Sequence, residues 1–297
     1  MIVILPYERI LYMKISTQIH VASEIYGEHK AVEMVANAGF DAWDFSMFSM
    51  CNYDRESGTL SENDHPLAGK NYLAFARELK HIGLENGIVC NQSHAPFPST
   101  PIIDYLKRAI ECTAEAGGKI CVIHPDNKRT TEENKEFYLK LLPFAKEYGV
   151  KIATENTFVW NHDLDHVTSG VCMTPQGFNA LLDAVNDDFF VACLDIGHAE
   201  MYGTGTSAAE LTLALGNRLQ ALHIHDNDCR HDSHQIPFSM DIDFAPAVYA
   251  LKDIGYDGYF TLECDNYLQN CPEESLPDRL KTMASVAKKL ADMFEAK

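Results

Sequence analysis

The sequence predicts a single (β/α)8 barrel, an α/β fold of eight parallel strands with its site at their C-terminal ends. Three observations carry that prediction. Short β-rich apolar runs alternate strictly with longer segments of helical period, eight of each. Strands this apolar need cover on both faces, which a parallel sheet wrapped by helices supplies. The 297 residues show no low-complexity linker and no compositional break, and eight units fit the roughly 250 residues that a closed barrel needs. An open doubly wound sheet is the rival, but no Gly-rich fingerprint follows the first strand. YGTGTS (202–207) offers only a GxG in a loop, and reads as a flexible turn.

The strands read in order as KISTQIH (14–20), DAWDFS (41–46), GIVCNQSH (87–94), KICVIH (119–124), VKIATEN (150–156), FFVACLDIGH (189–198), LQALHIHD (219–226) and GYFTLEC (258–264). Between them lie amphipathic segments such as KAVEMVANAG, NYLAFARELKHIG, IDYLKRAIECTAEAGG, EFYLKLLPFAKEYG and FAPAVYALKDIGY. Gly39, Gly87, Gly118, Gly149 and Gly255 stand just before strands, as left-handed helix stops. A last helix covers about Pro277 to Glu295. EFYLKLLPFAKEY reads as a core-facing helix bent by its Pro. Residues 1–12 are read as an N-terminal extension and 13–297 as the barrel domain.

Composition narrows the function. With 24 Lys+Arg against 43 Asp+Glu, the net charge of −19 disfavours phosphate backbones and anionic lipid as nonspecific partners. No stretch approaches the ~18–20 apolar residues of a membrane span. Nine cysteines form no CxxC pair, and several sit in strand runs as small hydrophobes. MIVILPYERI lacks the basic start of a signal peptide, so a reducing cytoplasm is the expected location.

Each predicted strand ends in a side chain able to bind a metal or move a proton: His20, Asp44, His94, His124, Glu155, Asp195, His223 and Glu263. From His94 onward the spacings are 30, 31, 40, 28 and 40 residues, one βα unit each, so these groups should meet in one pocket. A lone strand-end His is more often a solvated or capping residue. Glu155 and Glu263 differ, because each interrupts an apolar run, and a buried carboxylate is costly without a cation. Glu, Asp and His side chains suit one divalent ion, Mn²⁺, Zn²⁺, Co²⁺ or Mg²⁺.

The ordered set SHAPFP (93–98), IHP (123–125), TEN (154–156), LDIGH (194–198), HIHDND (223–228) and TLE (261–263) resembles the xylose isomerase-like TIM-barrel superfamily from Met13 onward. That group holds sugar isomerases, ketose 3-epimerases, inosose dehydratases and the endonuclease IV type of repair enzyme. The resemblance to its one-metal sugar enzymes implies Glu155, Asp195, His223 and Glu263 as metal ligands, with His225 an open alternative to His223. It implies Glu155 and Glu263 as catalytic proton carriers on the two faces of a sugar, acting through a metal-stabilised enediolate. It also implies His94, His124, His198, Asp232 and His234 as contacts to substrate hydroxyls.

The same residues fill the three-metal positions of endonuclease IV: His94, His124, Glu155, Asp195, His198, His223, Asp232, His234 and Glu263. A trinuclear zinc phosphodiesterase is therefore an alternative, as is an inosose dehydratase-type lyase. A nuclease needs Lys and Arg around its pocket. MFSMCNYDRESGTLSENDHP and TFVWNHDLDHVTSGVC hold one Arg between them, which weighs against nucleic acid and for a small carbohydrate partner. Lys128 and Arg129 read as a phosphate contact or a solvated pair, Phe158 and Trp160 as sugar stacking or lid packing, and NHDLDH (161–166) as a polar lid. Barrels of this kind often form homo-oligomers, but no stripe identifies an interface.

Overall fold

The computed structural model describes residues 12–54 and 56–296; all but the last residue of the expected 1–12 extension lies outside them. Eight parallel strands form the sheet: β1 (Lys14–Gln18), β2 (Ala42–Ser46), β3 (Val89–His94), β4 (Ile120–Val122), β5 (Lys151–Glu155), β6 (Phe190–Asp195), β7 (Leu219–His223) and β8 (Tyr259–Leu262). From β1 to β7 each strand pairs with the next in sequence, and β1 also pairs with β8. A parallel bridge between Ile224 and Leu262 brings β7 to β8 and closes the barrel, as predicted.

One longer helix follows each strand: Glu28–Ala38, Tyr72–Glu85, Ile103–Ala116, Thr131–Tyr148, Pro175–Val185, Ala208–Leu215, Ala245–Asp253 and Leu276–Glu295. Capping boxes start two of them, with Thr130 and Glu133 at one and Ser207 and Glu210 at the other. Pro143 is carried inside the Thr131–Tyr148 helix. Gly39 and Gly149 take the expected left-handed stops, whereas the stop expected at Gly118 belongs to Gly117, at φ 91°. Gly118 serves packing instead, since a Cβ there would lie 2.9 Å from Thr113 Cγ2.

Along every strand the side chains alternate between two environments. Ile15, Trp43, Phe45, Cys121, Ile152, Leu194 and Leu222 join the large core between the strands and the outer helices. Val122, Ala153, Cys193 and Ala221 belong to a small separate cluster that fills the barrel itself. Two residues further on, the same inward face carries His124, Glu155, Asp195 and His223. The site is thus the next inward layer above a plug of small apolar side chains. On β3 the register with β2 skips Asn91, a bulge that lets both Asn91 and Gln92 bond inside the barrel.

Most predicted strand ends move inward: the fourth strand stops at Val122, two residues before His124, the fifth at Glu155 and the eighth at Leu262. The first strand stops at Gln18, and His20 opens a short helix, His20–Tyr26. The sixth stops at Asp195, whose carboxylate caps the helix Ile196–Ala199 by accepting from the His198 amide at 2.7 Å. The seventh stops at His223. A polar side chain that can bond to the backbone ends a strand early. NHDLDH is the turn of an antiparallel hairpin, Phe158–Asn161 with His166–Ser169.

Candidate metal centre and cleft

A cleft of about 670 Å³ opens at the C-terminal ends of the strands, with Glu155, His198, Asp232, His234 and Glu263 in its floor. A cavity of about 760 Å³ at the opposite end is lined by strand starts such as Val89 and Tyr259 and holds none of the predicted site residues. His94, His124, Glu155, His198, Asp232, His234 and Glu263 all line the first.

Glu155, Asp195, His223 and Glu263 are all buried, and one potential ligand atom from each lies within 4.8 Å of the others. His223 Nδ1 stands 3.1 Å from Glu155 Oε1 and 3.2 Å from Glu263 Oε2. Gln18, absent from the sequence prediction, donates its side-chain amide to Glu263 Oε1 at 2.8 Å. It holds the inward position two residues after Ser16, a parity that the sequence also gives to His20. Asp44 is likewise buried against His223, with 3.3 Å from Oδ2 to Nε2.

A second group forms beside the first from His198, His225, Asp232 and His234. His225 Nε2 is 3.3 Å from Asp232 Oδ1 and 3.2 Å from Asp195 Oδ1, so the two groups share a wall at Asp195. His223 and His225, alternatives in the sequence, therefore enter different groups. A third group joins His94 and His124 to Glu155: His124 Nε2 is 3.0 Å from Glu155 Oε2 and 3.0 Å from His94 Nε2.

The loop that delivers Asp232 and His234 is held by Asp226. This buried carboxylate accepts backbone N–H bonds from Asn227, Ser239, Met240 and Ile242, at 2.8 to 3.1 Å. Its role is to shape the loop. Asn156 and Asn227 make similar ties, the latter donating to the Gly197 carbonyl at 2.9 Å.

Burial and neighbouring charge push the two glutamates apart. Burial raises both carboxyls. His223 and His124 outweigh it at Glu155 and hold that group well below the usual range. At Glu263 burial prevails over His223 and His234, and the carboxyl is pushed up to about 8. Burial also raises Asp195, but His198 and His225 bring it below its ordinary value. His94 is held low, first by burial and then by His124. Such a split between paired carboxyls is what acid–base chemistry on two groups requires.

The donor set fits a divalent cation. Three carboxylates and one imidazole, His223, converge on a single point, and Asp195 Oδ2 is buried without a hydrogen-bond partner. The rim of the cleft is aromatic and amide-rich. Phe48 sits edge-on to His94 at 4.8 Å, Phe97 stacks on His124 at 5.3 Å, and Phe158 sits edge-on to His198 at 5.1 Å. Asn127, Asn266 and Gln269 complete it. Lys128 lines the cleft, while Arg129 pairs with Asp126 at 3.4 Å. Trp160 stacks on His231 at 5.8 Å.

Known proteins agree with this architecture. An uncharacterised protein of Methanocaldococcus jannaschii is 25% identical over 256 residues, 80% of this chain and 78% of its own. An inosose dehydratase of Clostridium perfringens is 25% identical over 228 residues, 70% of this chain and 67% of its own. Among solved structures, a D-tagatose 3-epimerase-like protein superposes with a TM-score of 0.70 at 21% identity, covering 95% of this chain and 98% of that one. A zinc-bound IolI protein superposes at 0.63 with 19% identity, covering 95% and 98%. Residues 32–295 match the family described as xylose isomerase-like TIM barrel, nearly the whole barrel from its first outer helix to its last. The chain belongs to the xylose isomerase-like TIM barrel family.

Proposed function

We propose that the chain is a divalent-cation-dependent sugar isomerase or epimerase that moves a proton at a carbon next to a carbonyl. One observation carries the reading: Glu155 and Glu263 flank one histidine nitrogen with opposite proton affinities. Glu155, Asp195, His223 and Glu263 would hold the cation. When bound, the cation would polarise the substrate carbonyl and so acidify the neighbouring C–H.

Glu155 takes the proton from one face, and Glu263, oriented by Gln18, returns one on the other. Return to the same carbon inverts it, and return to the adjacent carbon exchanges aldose for ketose. His198, His94, His124, Asp232 and His234 face the hydroxyls, and the Phe48, Phe97 and Phe158 rings offer an apolar wall to a sugar's C–H face. The D-tagatose 3-epimerase-like neighbour supports the epimerase form and the inosose dehydratase relative a lyase form, in which a β-hydroxyl is lost. The bound zinc of the IolI protein supports the cation.

The test is solvent deuterium uptake into ketoses and inososes by protein loaded with Mn²⁺, Co²⁺, Zn²⁺ or Mg²⁺. Exchange at the carbon beside the carbonyl is expected, and water loss in the same assay would assign the lyase form. No exchange with any of these ions would remove the reading.

The second and third histidine groups favour one further reading, a trinuclear zinc phosphodiesterase. Metal analysis separates the two: about one equivalent per chain supports the sugar enzyme. About three equivalents of zinc, with cleavage of abasic DNA, would support the phosphodiesterase.

A further inference from the structure

His223 is the one imidazole of its group, and its two nitrogens face different surroundings. Nδ1 looks into the carboxylate cluster, 3.1 Å from Glu155. Nε2 looks back into the barrel toward Asp44 Oδ2 at 3.3 Å. Asp44 is fully buried on β2, and the same oxygen accepts the Gln92 side-chain amide at 2.9 Å. That amide also reaches the Leu222 carbonyl at 3.3 Å, one residue before His223. Gln92 stands opposite Asp44 only because the bulge at Asn91 shifts the β2–β3 register between Trp43 and Asp44.

With a cation held at Nδ1, the one hydrogen of a neutral His223 sits on Nε2, where Asp44 Oδ2 is placed to accept it. Nδ1 is then left with its lone pair aimed at the cluster. We propose that Asp44, braced by Gln92, is a positioning residue for the cation centre. It fixes the tautomer and ring orientation of His223 and makes Nδ1 a stronger donor. This rests on the proposed cation site and adds two residues to it that touch neither ion nor substrate. A carboxylate behind a ligating imidazole contributes about 10- to 100-fold in metal affinity in comparable sites.

The test compares Co²⁺ binding to the chelator-stripped protein and to Asp44→Asn, a near-isosteric change, by titration and by the visible absorption of the bound ion. The expected result is a 10- to 100-fold weaker affinity and a shifted Co²⁺ band, with a metal-free thermal midpoint close to that of the parent. Gln92→Met, which keeps the carboxylate but removes its brace, should shift both readouts in the same direction; it decides the matter if Asp44→Asn does not fold. Parent-like affinity and spectrum in the folded variants would overturn the positioning role while leaving the cation site standing. Failure of the parent itself to bind Co²⁺ would overturn both.

Discussion

Asn156 and Asp195 are tied in both directions: the Asn156 side-chain amide donates to the Asp195 carbonyl at 2.8 Å, and the Asp195 amide donates to Asn156 Oδ1 at 2.8 Å. The tie joins the ends of β5 and β6, and so fixes the spacing of Glu155 and Asp195. Asn156→Ala leaves a buried N–H and C=O without partners. A loss of about 2–4 kcal/mol is expected, read by denaturant unfolding of the metal-free protein. A change under 0.5 kcal/mol would show that the strand ends do not depend on it.

The proton-transfer reading places unequal demands on the two glutamates. Glu155→Gln removes a group that no neighbour replaces, and Glu263→Gln removes the acid. Each should reduce solvent deuterium uptake by about 10²–10⁴-fold or more while leaving the far-ultraviolet circular dichroism unchanged. Full exchange in either folded variant would sink the assignment.

Stability of the metal-free protein should fall as the medium becomes alkaline. Burial pushes Glu263 up from 4.5 to about 8. At His234 burial lowers the group, but Asp232 outweighs it and raises it from 6.5 to about 10. Both bind protons more tightly folded than unfolded. Their contribution is complete below the unfolded values and is lost as pH rises through the folded ones. Asp232 acts oppositely: burial raises it, His198 and His234 hold it well below 3.8, and its contribution is lost on acidification. Thermal scans in chelator between about pH 6 and pH 9 should show a decreasing midpoint. A rising one would contradict the charge arrangement.

Asp226 holds the 226–242 loop by four backbone N–H groups. Asp226→Ala should cost about 3 kcal/mol or more, because four backbone N–H groups lose their acceptor and two of those bonds, from Asn227 and Ile242, are buried. Limited proteolysis should cut this loop first. Equal protease resistance in the variant and the parent would exclude the role.

Gly197 sits beneath His225. A Cβ at that position would lie 2.1 Å from the imidazole Cε1, so Gly197→Ala must displace the ring or the short helix. About 1–3 kcal/mol of destabilisation is expected in unfolding measurements, as for other overpacked interiors. Tolerance of alanine without cost would mean that the helix end moves freely.

The architecture and the site layer were readable from local pattern. Apolar runs of period two, each followed by an amphipathic segment, are properties of neighbouring residues, and they name a wrapped parallel sheet without any knowledge of contacts. Because inward positions recur every second residue, the polar group two places beyond Ala153, Cys193 or Ala221 had to face the same interior as the small residue before it. The early end of the first strand hid Gln18, since KISTQIH runs on to a second polar residue with nothing local to choose between them.

Other features were decided by partners far away in the chain. His223 and His225 are two residues apart and share the inward parity, so the sequence alone does not separate them. They part company because Glu155 and Glu263 meet the first, while Asp232, carried by a loop pinned to Asp226, meets the second. Asp44 reaches His223 across 179 positions, and Gln92 reaches Asp44 through a bulge that only strand pairing creates. Periodicity determines which way a side chain faces. Which groups then meet, and with what proton affinity, depends on closure of the barrel, where burial and opposing charge act together.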